Sequence, residues 1–162
     1  MSIIRFINRV LIARWLFRKQ KRQLTSKDKF NISMSKINSY IMNIKYSNLP
    51  VIVRTFDSME KELIHAIQLR PWFENINISG YEFNKLQDLH LFERIKKEYI
   101  KAFILEKINL ELKKSDSVND LRIKTQYIKK ALNMSLNAIE YLPDDVEMRY
   151  KIIELEKHLT II

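Results

Sequence analysis

Gly80 is the only glycine in this 162-residue chain, and Pro50, Pro71 and Pro143 are its only prolines. Ordinary chains carry about 12% of the two together. Few breakers leave few places for tight turns, and sheet proteins lean on Gly and Asn-Gly turns. The chain therefore reads as all-α, and Gly-rich phosphate loops are excluded. Its length suits one domain large enough to bury a core.

Hydrophobic period divides the chain into about six helices. The first spans residues 3–22: at roughly 100° per residue, Ile3, Phe6, Ile7, Val10, Leu11, Trp15 and Phe17 share one broad face. Arg5, Arg9 and Lys19 lie opposite, while Arg14 and Arg18 fall near the apolar stripe. Residues 23–33 are polar and read as a linker. A short helix over Ile32–Lys45 carries Ile37, Ile41 and Ile44 at three- and four-residue spacing. Pro50 suits a first turn, and Ile52, Phe56, Met59, Leu63 and Ile67 keep a helical period to Arg70, which favours a helix over about 50–70; the alternative is an extended Val51-Ile52-Val53 followed by a helix capped by Asp57 with Glu60. Trp72–Ser79 reads as a loop whose Trp72-Phe73 pair plugs the core. Ser79 with Glu82 gives a capping-box signal for a long central helix reaching about Lys113. That helix is apolar on two sides, as expected of one surrounded by others. A pair of helices over about 118–160 follows, broken at Pro143 and restarted by Asp144 with Glu147. The expected organisation is a basic N-terminal helix and linker over 1–29 and a helical domain over 30–162.

Residues 131–143 resemble the second helix of a tetratricopeptide repeat, which sets small residues seven apart with Pro five later. Ala131, Ala138 and Pro143 fit this spacing, and Pro143-Asp144-Asp145 before a new helix is similar to a repeat junction. Ser135 stands where the repeat has a large residue. The repeat's first-helix positions fall on Ser115, Val118, Asn119 and Arg122, and no second copy at a period of about 34 residues is evident. The resemblance implies close helix pairing and protein–protein binding rather than catalysis.

Charge is distributed unevenly. Residues 1–29 hold nine Lys or Arg (Arg5, Arg9, Arg14, Arg18, Lys19, Lys21, Arg22, Lys27, Lys29) against Asp28, a local charge of 9 − 1 = +8 out of +10 for the chain. Three readings follow. The segment lies on an anionic membrane surface with Phe6, Trp15 and Phe17 in the headgroup zone. Alternatively, its charges bind nucleic-acid phosphates, as in a ribonucleoprotein or phage-type protein, although Ile3–Phe17 is more apolar than a phosphate-tracking arm requires. In the structural alternative, Ile3–Phe17 packs on the bundle and Lys19–Arg22 is a solvated helix end, where cations are favourable. An organelle transit segment is a further reading, since the stretch is Arg-rich and nearly free of acid; against it, Ser2 is the only serine before Ser26.

Catalytic equipment is not visible. The chain has no cysteine, which removes disulfides, thiolate zinc sites and thiol catalysis. His65, His90 and His158 are far apart and form no ligand spacing. Glu60 and Glu62, two apart on a helix, point to different faces. No Ser-centred elbow, Walker loop or dinucleotide fingerprint occurs. No run of 18 apolar residues suits a transmembrane helix, and the arginines interrupting the N-terminal apolar residues do not suit a secretory signal peptide. The expectation is a cytoplasmic, peripherally membrane-associated adaptor, scaffold or accessory subunit that binds a protein partner. It uses no cofactor, metal or evident small-molecule substrate.

Overall fold

The computed structural model describes residues 24–161 and is mostly helical. Five α-helices carry the described residues: α1 (Ser26–Ile44), α2 (Leu49–Leu69), α3 (Leu89–Asp116), α4 (Leu121–Ile139) and α5 (Val146–Ile161). The all-α expectation holds at that level. The helix expected over residues 3–22 lies outside the described residues, so the six-helix count does not enter this description.

Polar side chains set where each helix starts. Thr25 Oγ1 accepts the Asp28 amide at 3.1 Å, and Asp28 in turn accepts the Thr25 amide at 3.0 Å, a reciprocal cap that starts α1 at Ser26. The linker expected over 23–33 is therefore largely helix. Its polarity reflects an exposed first turn in which Phe30 is the first buried residue. Asn48 caps α2 through Val51, with Pro50 in the first turn. Asp120 caps α4 through the Arg122 and Ile123 amides, and Asp145 accepts the Met148 amide at 2.9 Å at the start of α5.

The segment between α2 and α3 departs most from expectation. Asn77–Ile78 (β1) and Tyr81–Glu82 (β2) pair antiparallel across Ser79-Gly80. Both turn residues have positive φ, 53° and 85°, as a two-residue hairpin with the right twist needs. Ser79 is thus a turn residue and not a helix cap. The long helix begins only at Leu89, after a 3₁₀ turn over Leu86–Asp88. Alternation buries Ile76 and Ile78, and Phe83 joins them in the core.

Successive helices pack mainly on their sequence neighbours, with α1 on α2, α3 on α4 and α4 on α5, and a slighter contact between α2 and α3. The α1–α2 pair is antiparallel, since Ser33 meets His65 while Lys36 meets Glu62. Ile52, Phe56, Met59, Leu63 and Ala66 form the inner stripe of α2, and Phe30, Ser33, Ile37 and Ile44 that of α1. Each large apolar side chain so buried contributes about 1.5–3 kcal/mol relative to exposure. α3, the longest helix, is apolar on two sides: it meets α2 near Phe92 and Tyr99, packs along α4, and buries Ile104 and Ile108.

On α4 the inner stripe is small: Ala131, Ser135 and Ala138 are all fully buried. Ser135 Oγ donates to the Ala131 carbonyl at 3.0 Å and so needs no partner from another helix. Pro143 is exposed in the α4–α5 connection. Ser115, Val118, Asn119 and Arg122 straddle the break between α3 and α4 rather than lying on one helix. Replacing Ser135 with Leu should overpack the inner stripe of α4 and lower stability by about 1–3 kcal/mol. Ser135→Ala should change it by no more than about 0.5 kcal/mol, both read from urea unfolding midpoints.

Candidate interaction surfaces

Trp72 and Phe73 do not plug the core. Trp72 is 88% exposed and Phe73 61%. The Glu74 amide donates to the Pro71 carbonyl at 3.0 Å, closing a turn that puts both aromatic residues at its apex. Their rings meet edge to face, with centroids 5.7 Å apart. The turn is held from behind: Arg70 donates to the Glu74 carbonyl at 2.5 Å and to the Asn84 carbonyl at 3.5 Å. Buried Ile76, Ile78 and Phe83 follow within the same segment. Asp88 accepts the Asn84 and Lys85 amides at 2.9 and 2.8 Å. Those two donors, Lys85 first, hold its carboxyl below the ordinary aspartate value.

The start of α1 lies beside this apex. Lys27 Nζ sits 5.8 Å from the Phe73 ring centroid and 3.8 Å from the Glu74 carboxylate. The exposed aromatic pair and the entry to the most basic stretch of the chain thus share one end of the described fold.

A polar cluster lines an open groove of about 500 Å³ between α1 and α2, with Lys29, Lys36 and Lys61 on its walls. Ser33 Oγ lies 3.0 Å from His65 Nδ1, and Lys36 Nζ donates to Glu62 at 2.6 Å. Burial raises the Glu62 pKa, but hydrogen bonds from Lys36 and Ser33 and the Lys36 charge outweigh it and hold it below the usual range. Ser33 has one proton. When it goes to Glu62, His65 Nδ1 must be the donor to Ser33, so the imidazole cannot also draw that proton off. With Ser33 itself buried, the cluster works as an inter-helix hydrogen-bond network.

The outer face of α5 is a third surface. Met148, Ile152, Leu155 and Leu159 turn inward, wholly or partly buried. Val146, Tyr150 and Ile153, spaced four and three apart, form an exposed stripe, with Tyr150 69% exposed. Lys101 on α3 bridges Asp145 at 3.0 Å and Glu147 at 2.6 Å and so fixes the base of this helix.

Among the described residues no three His, Cys, Asp or Glu converge as a metal site, and His65, His90 and His158 stay apart. No helix of the described residues is long and apolar enough to cross a membrane. Arg5, Arg9, Arg14, Arg18, Lys19, Lys21, Arg22, Phe6, Trp15 and Phe17 lie outside the described residues. Ala131 and Ala138 serve helix packing. Sequence reasoning misassigned Trp72-Phe73; the signal available was the Ile76/Ile78 alternation before Ser79-Gly80, which supplies the core side chains the segment needs. No family model, curated protein or solved structure matches the chain.

Burial raises the Asp145 pKa, but the Met148 amide and Lys101 more than offset this and hold it below the ordinary 3.8. Its contribution is therefore fully present above that value and is lost as pH falls through the lower folded-state value. Asp145→Asn should lower stability by about 1 kcal/mol at neutral pH. The difference between the two proteins in urea titrations should shrink as pH falls below 3.8.

Proposed function

We propose that this protein is a non-catalytic adaptor or accessory subunit that uses its basic N-terminal residues to hold an anionic membrane surface and its helical domain to hold a protein partner. One observation carries the reading: the described fold, residues 24–161, has 22 basic and 19 acidic side chains, a charge of 22 − 19 = +3, so the remaining +7 sits on residues 1–23. A surplus so confined, mixed with Ile3, Phe6, Val10, Trp15 and Phe17, suits a surface that is both anionic and oily. The exposed α5 stripe and the neighbour-on-neighbour helix packing support the protein-binding part, because helix stacks of this kind bind through exposed helix faces. This reading needs no 34-residue repeat register.

The second reading, nucleic-acid association, is favoured by the same charge and the sequence pI of about 9.7. The apolar company of the arginines supports lipid over phosphate backbone.

The test is co-sedimentation of the full chain with phosphatidylcholine vesicles with and without phosphatidylserine. Pelleting should require the anionic lipid and fade with salt. Each Lys or Arg near such a surface contributes about 1 kcal/mol, so replacing Arg18, Lys19, Lys21 and Arg22 together with Gln should weaken partitioning by up to about a thousandfold. Equal pelleting with and without anionic lipid would remove the membrane role. A salt-sensitive shift of generic duplex DNA instead would favour the second reading.

A further inference from the structure

We propose that Trp72 and Phe73 form an insertion tip that seats in the headgroup zone of an anionic membrane; this rests on the membrane reading above and assigns it a second contact in the helical domain. Two large aromatic residues, 88% and 61% exposed, stand together at the apex of a four-residue turn. Aromatic side chains carry a large apolar payload and are usually buried. The core side chains of this segment are Ile76, Ile78 and Phe83, all buried, while Trp72 and Phe73 stay outside. Arg70 grips the backbone on both sides of the hairpin, so the tip stands on a braced support.

Charge decides what meets the tip. Lys27, in the first turn of α1, contacts both Phe73 and Glu74, and the stretch it belongs to carries +8. Lys27 beside Phe73 and Arg70 at the base of the turn put cations next to the aromatic pair, as an anionic surface requires. Trp at the boundary of acyl chains and headgroups, flanked by cations, is the arrangement that membrane interfaces favour.

The experiment uses the full chain carrying Trp15→Phe, which leaves Trp72 as the only tryptophan. Its pelleting and its emission are measured on the same vesicle series. With phosphatidylserine vesicles, Trp72 emission should shift to the blue and its quenching by acrylamide should fall; with phosphatidylcholine alone, neither should change. The full chain carrying Trp72→Ala and Phe73→Ala should keep its far-ultraviolet dichroism and thermal transition, since neither side chain is in the core. It should partition onto anionic vesicles at least about tenfold more weakly. Pelleting with Trp72 still open to quencher would overturn the insertion tip while leaving the basic-end reading intact. Failure of the unsubstituted chain to pellet would remove both, and, whatever Trp15→Phe does, pelleting of the Trp72→Ala, Phe73→Ala chain as strong as that of the unsubstituted chain would overturn the tip. A Trp72 response to single-stranded oligonucleotide and none to vesicles would also overturn the proposal.

Discussion

The two parts of the described fold are joined through Phe56. Its ring centroid lies 5.9 Å from that of Phe92 and 5.5 Å from that of Tyr99, and Phe92 in turn lies 6.3 Å from Phe83. α2 and α3 touch only over a short length, so these tilted and edge-to-face contacts supply much of what holds the α1–α2 pair against α3, α4 and α5. Lys96 reaches Asp57 at 2.8 Å beside them, a partly exposed ion pair worth at most about 1 kcal/mol. The aromatic contacts therefore dominate the junction. Phe83 ties the hairpin segment into the same cluster, so whatever fixes the two helices also fixes the turn that carries Trp72 and Phe73.

From that junction the rest follows by neighbour packing. α4 buries small residues where it packs among its neighbours, and α5 ends the series with Val146, Tyr150 and Ile153 uncovered. Electrostatics adds a direction. The described helices carry nearly balanced charge, and some of it is paired between helices, as in Lys36–Glu62 and Lys101 with Asp145 and Glu147. The uncompensated charge belongs to the residues that lead into α1. The described fold thus has an exposed aromatic turn beside Lys27 at the start of α1, and an apolar helix face at the end of the helix series.

Much of the helical layout could be read from the sequence. The period of Ile52, Phe56, Met59 and Leu63 with Pro50 in the first turn gave α2 almost to the residue, and the break near Ser117 and the stop at Pro143 bound α4. α1 was read short because its first turn is solvated and buries nothing before Phe30, so hydrophobic period has no signal there; only the Thr25–Asp28 cap marks it. The hairpin was missed because Ser-x-x-Glu at Ser79 and Glu82 satisfies a capping pattern equally well. The choice between them depends on whether Ile76 and Phe83 find a core, which is a tertiary fact. Residue type alone points Trp72 and Phe73 inward, whereas the segment's buried side chains are Ile76, Ile78 and Phe83. The basic candidate contacts from Arg5 to Arg22 fall outside the described residues, so their reading still rests on charge and composition.

The account stands on the hairpin segment being part of the Phe56 junction rather than a loop attached to it. The Phe83 amide donates to the Ile76 carbonyl at 2.8 Å inside that cluster, and native-state hydrogen exchange reports on this bond directly. The account predicts that the Phe83 amide exchanges as slowly as those of Phe56 and Phe92. Exchange of Phe83 orders of magnitude faster than those two would show the segment opening by itself and would contradict a braced aromatic turn.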